Sequence, residues 1–284
     1  MRERREAFFL HAQAFTPYVA VERGDALFFI PTVEGEWQRG LFVRRRRNDM
    51  KTLAKTVGRL AAFGVTLPHD PVIIDVGANI GTTTVMALRR HGFASAVAIE
   101  PSAQTFSTLR LNLAANNLDG SVHAICAAAS DRPGRVILAL DAESSGSNRV
   151  KPPTSVHAHA VAETVEVDAI TLDSVVAEGI IDPGRAGLLW IDAQGHEPAV
   201  IRGAARLIKA GVPLVTATRP ELPGWEQTAA ALAEVLGPHY TDAIELRRST
   251  ELRPIGEFPA LLESITHSTD VLLIRSERAS TSSD

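Results

Sequence analysis

The chain has 284 residues and a formal net charge of −4, with 45% hydrophobic and 22% charged residues; this balance gives no general drive toward nucleic acid or an anionic membrane. A single cysteine, Cys126, excludes an internal disulfide framework and fits a reducing, cytoplasmic setting, and its apolar flank Val122-His123-Ala124-Ile125 predicts a buried packing role. No apolar run reaches the ~20 residues of a membrane span, and Phe8–Leu10 is too short for a signal-peptide core.

Residues 1–70 do not alternate strand and helix cleanly and read as a small N-terminal cap. Two short strands are expected at Ala26–Pro31 and Gly40–Val43, around the turn-rich Glu34-Gly35-Glu36. Lys51–Phe63 carries Leu53, Val57, Leu60, Ala61 and Phe63 at near-helical spacing, which predicts an amphipathic helix. The basic block Arg44–Arg47 before it reads as a solvated turn, because the whole chain is acidic.

From Pro71 onward strands and helices alternate, which predicts an α/β domain over 71–276 with a mostly parallel sheet. Strands are expected at Val72–Val76, Ser95–Ile99, Val122–Ala127, Gly187–Ile191, Val212–Ala217, Tyr240–Leu246 and Val271–Ile274, with an antiparallel pair at Arg135–Leu140 and Glu163–Asp168. Helices are expected at Thr82–His91, Ala103–Asn116, Ile170–Glu178, Glu197–Lys209, Gly224–Leu236 and Pro259–Ser264. Ser144–His159 is rich in Ser, Pro and His and has the character of a lid or mobile loop, and 277–284 reads as a flexible polar tail.

The chemistry concentrates where the first strand ends. Val72-Ile73-Ile74 is a buried parallel strand, followed by Asp75-Val76-Gly77-Ala78-Asn79-Ile80-Gly81 and the helix start Thr82-Thr83-Thr84. Gly77 permits a tight turn and close approach of a ligand to the backbone, and the free N–H groups of the helix start accept a polar or anionic group. In open α/β sheets ligands bind beyond the carboxyl ends of the strands, where Asp75, Glu100 and Asp192 all fall. Glu100, followed by Pro101, lies 19 residues after Gly81, the offset of an acid that accepts hydrogen bonds from ribose hydroxyls. A dinucleotide loop spaces its glycines G-x-G-x-x-G, whereas this one has G-x-x-x-G after an acid. An acid is poor company for a pyrophosphate and good company for the cationic amino group and sulfonium of S-adenosylmethionine. That methyl donor is therefore preferred over a nicotinamide cofactor.

Four blocks together resemble a known family: Ile74-Asp75-Val76-Gly77-Ala78-Asn79-Ile80-Gly81, Ala98-Ile99-Glu100-Pro101, Ile170-Thr171-Leu172-Asp173, and Trp190-Ile191-Asp192-Ala193-Gln194-Gly195-His196-Glu197. Over roughly residues 70–275 the chain is similar to the FkbM family of class I S-adenosylmethionine-dependent methyltransferases, often O-methyltransferases of sugars and secondary metabolites. The resemblance implies a Rossmann-like, doubly wound, mostly parallel seven-stranded sheet with a reversed last strand. It implies that Asp75, Gly77, Ala78, Asn79 and Gly81 line the methionine end and that Glu100 and Pro101 hold the ribose. It places Ala128 and Ser130, with Ala127 and Asp131, near the adenine, and Asp192 facing the transferring methyl group. Two departures stand out: Trp-Ile-Asp-Ala-Gln-Gly at 190–195, where the family usually has Lys-Ile-Asp-Val-Glu-Gly, and Thr218-Arg219-Pro220, where it tends to carry a Glu.

Transfer to a hydroxyl needs an aligned acceptor and a proton acceptor. Asp192, His196, His157 and His159 are the candidate bases, with His196 and Asp192 placed first. Asp192 and Glu197 lack the ligand spacing of a metal site, so no metal is expected. Neither an Asn-Pro-Pro-Tyr-like run nor a Pro-Cys nucleophile is present, and aromatic residues are 5% of the chain. A small-molecule or carbohydrate acceptor is therefore expected, with no nucleic acid or membrane as partner; oligomeric state is left open. The rival readings are a catalytically inactive methyltransferase fold that binds without turnover, and an NAD-binding oxidoreductase.

Overall fold

The computed structural model describes residues 1–33, 36–44, 48–141, 145–150 and 161–276. The N-terminal part is α1 (Arg2–Ala12), a hairpin of β1 (Tyr18–Arg23) and β2 (Ala26–Pro31), α2 (Glu36–Val43) and α3 (Asn48–Ala62). The first half of the main domain follows as β3 (Val72–Val76), α4 (Thr82–Arg90), β4 (Ser95–Ile99), α5 (Ala103–Ala115) and β5 (Val122–Ile125). Next come β6 (Ala128–Ala129), β7 (Gly134–Asp141), β8 (Arg149–Val150) and β9 (Val161–Ile170). The second half is α6 (Leu172–Ala177), β10 (Ala186–Ile191), α7 (Glu197–Arg202), α8 (Ala205–Ala210), β11 (Leu214–Thr218) and α9 (Trp225–Leu236). It closes with β12 (Asp242–Glu245), β13 (Arg253–Pro254), α10 (Phe258–Ser264) and β14 (Thr269–Ile274).

The central sheet has eight strands in the order β13-β12-β14-β11-β10-β3-β4-β5. β11, β10, β3, β4 and β5 are mutually parallel, and β14 runs antiparallel between β11 and β12. This is the Rossmann-like doubly wound sheet with its reversed last strand. The expected count of seven rises to eight because two residues, Arg253 and Pro254, pair with the edge strand β12. Period-2 alternation divides the apolar side chains between two cores. Ile73, Leu272 and Ile274 join a cluster with the N-terminal Phe9, Phe28, Ile30, Leu41, Leu53 and Leu60. Ile74, Leu189 and Leu273 face the other layer, with Leu172, Val200, Leu207, Leu232 and Phe258. The N-terminal part thus shares one continuous core with the sheet.

Several local expectations need correction. Gly40–Val43 is the end of helix α2, not a strand: Leu41 and Val43 are buried with Phe42 half-buried between them, an alternation too short to separate the two states. Phe42 packs on Phe8 and Phe9, at ring-centroid distances of 5.7 and 5.8 Å, which holds α2 against α1. The expected helix 197–209 breaks at Gly203, whose carbonyl accepts the Asp173 N–H at 2.8 Å and where a Cβ would collide with the Ser130 carbonyl. Cys126 is exposed, one residue past the end of β5 and just before the buried Ala127–Ser130. Ser145–Ser147 form a single 3₁₀ turn leading to β8; Ser144, 151–159 with His157 and His159, Arg45–Arg47 and the tail 277–284 lie outside the described residues. Among the described residues no helix is long and apolar enough to cross a membrane.

Candidate active site

The loop after β3 is shaped by contacts that only particular residues allow. The Gly77 and Ala78 amides both donate to the Ile99 carbonyl, at 2.9 and 3.0 Å, folding the loop over the end of β4. Gly77 sits at φ +80°, and a Cβ on it would collide with the Asp192 carbonyl oxygen, so the loops after β3 and β10 meet backbone to backbone. Asn79 takes the left-handed conformation at φ 52°, which its side chain eases by accepting the Ile80 amide at 2.8 Å.

Glu100 organises this loop from the end of β4. Its Oε2 accepts the Asn79 amide at 3.0 Å and its Oε1 the Ser102 amide at 2.9 Å. These two amides fix the orientation of the carboxylate at the end of β4. Asp75 is buried at 1% exposure and takes the Thr84 hydroxyl at 2.5 Å, so it ties β3 to α4.

A cavity of about 380 Å³ opens beyond the carboxyl ends of β3, β4, β10 and β11, within the size range of small-ligand clefts. Gly77, Ala78, Asn79, Glu100, Pro101 and Ala128 line one end, and Asp192, His196, Trp190, Arg219 and Asp270 the other. Of the binding residues expected from the sequence, Asp75, Gly81, Ser130 and Asp131 do not line it. They act from behind: Gly81 starts α4 at φ +86°, and Ser130 Oγ lies 2.9 Å from His196 Nε2 in a hydrogen bond whose donor depends on the tautomer.

The far end of the cavity is a charge cluster. Arg219 Nη2 donates to both Asp192 oxygens at 2.9 Å, and Gln194 Nε2 to Oδ1 at 2.9 Å. Arg219 occupies the position after β11 where an acid was expected, so the cluster gains a cation there. Glu197, 1% exposed, accepts the Ala193 amide at 3.0 Å and the Gly195 amide at 2.9 Å, closing the turn that presents Asp192. Burial and the neighbouring Asp192 push its carboxyl up to about 7 against the pull of its own and the Gly195 amide and of Arg219. Burial and Asp192 likewise raise Asp270 to about 6, opposed by Arg219, Arg247 and the Thr52 hydroxyl. Burial holds His196 below the usual imidazole value, with Asp131 opposing and Arg202 adding to the shift.

Arg219 and Asp270 are absent from the sequence-derived set. Arg219 carried a signal, as the departure from the family pattern after strand five. Asp270 carried none, because it starts a strand, and only the reversal of β14 brings a strand start to this edge of the sheet. Among the described residues no group of three His, Cys, Asp or Glu side chains could hold a metal.

Residues 75–247 match the family profile described as the methyltransferase FkbM domain. Methyltransferase 1 of Beauveria bassiana is 29% identical over 151 residues, covering 48% of this chain and 59% of that protein. Methyltransferase sdnD of Sordaria araneosa is 29% identical over 159 residues, covering 48% of this chain and 61% of that protein. The chain thus spans less than two thirds of either relative. A solved structure, the methyltransferase FkbM from Methylobacillus flagellatus KT, is similar with a TM-score of 0.46 and 16% identity, covering 74% of this chain and 45% of that one.

Proposed function

The chain belongs to the FkbM methyltransferase family, and from that premise we propose that it moves a methyl group from S-adenosylmethionine to a hydroxyl of a sugar, glycan or secondary metabolite. One observation carries the reading: Glu100 lines the cavity with each carboxylate oxygen anchored on a backbone amide, so the group is held in one orientation beside the glycine loop. A carboxylate held in this way suits the paired hydroxyls of a ribose. The close approach at Gly77 brings the loops after β3 and β10 together at the cavity, and the acids at the far end suit a cationic sulfur. The bound donor would supply a methyl group activated on that sulfur. Gly77, Ala78 and Asn79 would hold its methionine end, Glu100 and Pro101 its ribose, and Ala128 its adenine side. Asp192, fixed by Arg219 and Gln194, would face the reacting centre.

Calorimetry with S-adenosylmethionine, S-adenosylhomocysteine and NAD tests the donor. Binding of both adenosyl-sulfur compounds and none of NAD is expected; tight NAD binding with silence toward S-adenosylhomocysteine would sink the reading. Labelled methyl donor offered with hydroxylated metabolites then identifies the acceptor.

A further inference from the structure

We propose that Asp270 receives the proton of the acceptor hydroxyl, and that α3 of the N-terminal cap holds it in place through Thr52. The assignment rests on the methyltransferase reading and extends it to the residue that completes the chemistry.

Topology delivers Asp270 to the site. β14 runs antiparallel to β11 with Ala217 opposite Asp270 and Thr218 opposite Thr269, so the first residues of β14 lie beside the carboxyl end of β11. The Asp270 side chain lines the same cavity as Asp192, His196 and Arg219, and is half-buried there.

The neighbouring groups each have a structural partner. Both oxygens of Asp192 are taken by Arg219, and Gln194 adds a third donor. Glu197 is spent on the Ala193 and Gly195 amides inside its turn. His196 places its Nε2 on Ser130, which lies outside the cavity lining. Asp270 instead faces the Thr52 hydroxyl of α3, a buried residue that favours its ionised form. A hydroxyl on one side leaves the carboxylate lone pairs for an acceptor.

The charged groups around it come from several elements. Asp192 stands at the end of β10, Arg219 after β11 and Arg247 after β12. Burial and Asp192 raise the carboxyl to about 6, so it is ionised at neutral pH yet basic enough to hold a proton in passing. As the acceptor oxygen gains the methyl group, the carbon–sulfur bond breaks and leaves its electron pair on a neutral sulfur. The hydroxyl proton passes to the Asp270 carboxylate and from there to water.

The test uses the full chain saturated with S-adenosylhomocysteine, whose aspartate carboxyls are titrated by carbon-13 NMR. One carboxyl should titrate near pH 6, vanish in Asp270→Asn and move upward in Thr52→Val, which removes the hydroxyl that lowers it. Turnover is followed in parallel with methyl glycosides, glycerol and catechol as acceptors. Where the wild type transfers a methyl group, Asp270→Asn should lower turnover by at least about 100-fold with S-adenosylhomocysteine affinity unchanged. Titration of Asp270 among the ordinary aspartates overturns the assignment, as does near wild-type turnover in Asp270→Asn. Failure of the wild type to bind S-adenosylhomocysteine removes instead the methyltransferase reading beneath it.

Discussion

Glu100 holds the glycine loop in place and, in the proposed reading, the ligand as well. Its oxygens cap the Asn79 and Ser102 amides, and an amide side chain would turn an N–H toward one of them. Glu100→Gln should therefore weaken S-adenosylmethionine binding by about 10- to 100-fold, the worth of one to two charge-assisted hydrogen bonds, measured by calorimetry. Unaltered affinity would show that Glu100 serves the loop alone. The acids at the other end carry a signature in pH. Asp270 is raised to about 6 and Glu197 to about 7, from reference values of 3.8 and 4.5. Protons therefore bind the folded state more tightly, so this stabilisation is complete below about pH 4 and is lost as pH rises through 6 and 7. Asp270→Asn escapes part of that loss. Its melting temperature should match the wild type near pH 4 and exceed it by a few degrees at pH 8; a gap that does not change with pH would contradict this. The cavity end lined by Gly77, Asn79 and Glu100 was legible at this scale, because these residues lie in two short contiguous blocks. The end lined by Arg219 and Asp270 was not, since they come from strand ends 51 residues apart in the chain.

At the scale of elements, the parallel strands of the main sheet were legible because each is a compact apolar run followed by a turn and a helix. The cap was less so. Helix α1 and strand β1 lack a strong pattern of their own, and α1 packs on α2 and the β1–β2 hairpin on α5, partners distant in sequence. The clearest case is α5, which presents Asn112 and Asn116 one turn apart to the open edge of β2. Asn112 accepts the Phe29 amide at 2.6 Å and donates to the Phe29 carbonyl at 3.2 Å, and Asn116 treats Leu27 alike at 2.9 and 2.7 Å. The two side chains stand in for a neighbouring strand and satisfy an edge that would otherwise be left unpaired. A polar pair on a helix face ordinarily reads as solvent-exposed, which is why the sequence hides this role. Asn112 also donates to the Ile80 carbonyl at 2.8 Å, linking the cap to the glycine loop. Asn112→Ala strands several buried backbone groups and should cost about 1–3 kcal/mol for each left unsatisfied. Chemical denaturation would measure the loss, and calorimetry should show weaker S-adenosylmethionine binding through Ile80. A stability unchanged from wild type would mean that water replaces the asparagine.

Across the whole molecule, the cap reaches the two ends of the cavity by separate routes. Asn112 joins it to the glycine loop at one end, whereas α3 reaches the turn after β12 at the other. Lys55 donates to the Leu246 and Arg247 carbonyls at 3.1 Å each, and Arg59 to those of Ser249 and Thr250 at 3.3 Å. From inside, Glu245 accepts the amides of Arg247, Arg248 and Ser249 and the Thr269 hydroxyl, so the turn after β12 is clamped on two sides. That turn carries Arg247 to the cavity. Burial opposes the ionised form of Glu245, but the Thr269 hydroxyl and the three amides outweigh it and hold the carboxyl below its usual value. The inner clamp therefore stays charged at neutral pH, and the outer one can be removed alone. In the double variant Lys55→Met with Arg59→Met, the amides of 247–249 should lose hydrogen-exchange protection while those of 77–81 keep theirs. Loss at both places would mean that the cap stabilises the domain only as a whole. Loss confined to 247–249 would make α3 a separate support for the wall that meets the acceptor, built from a part of the chain that precedes every strand of the main sheet.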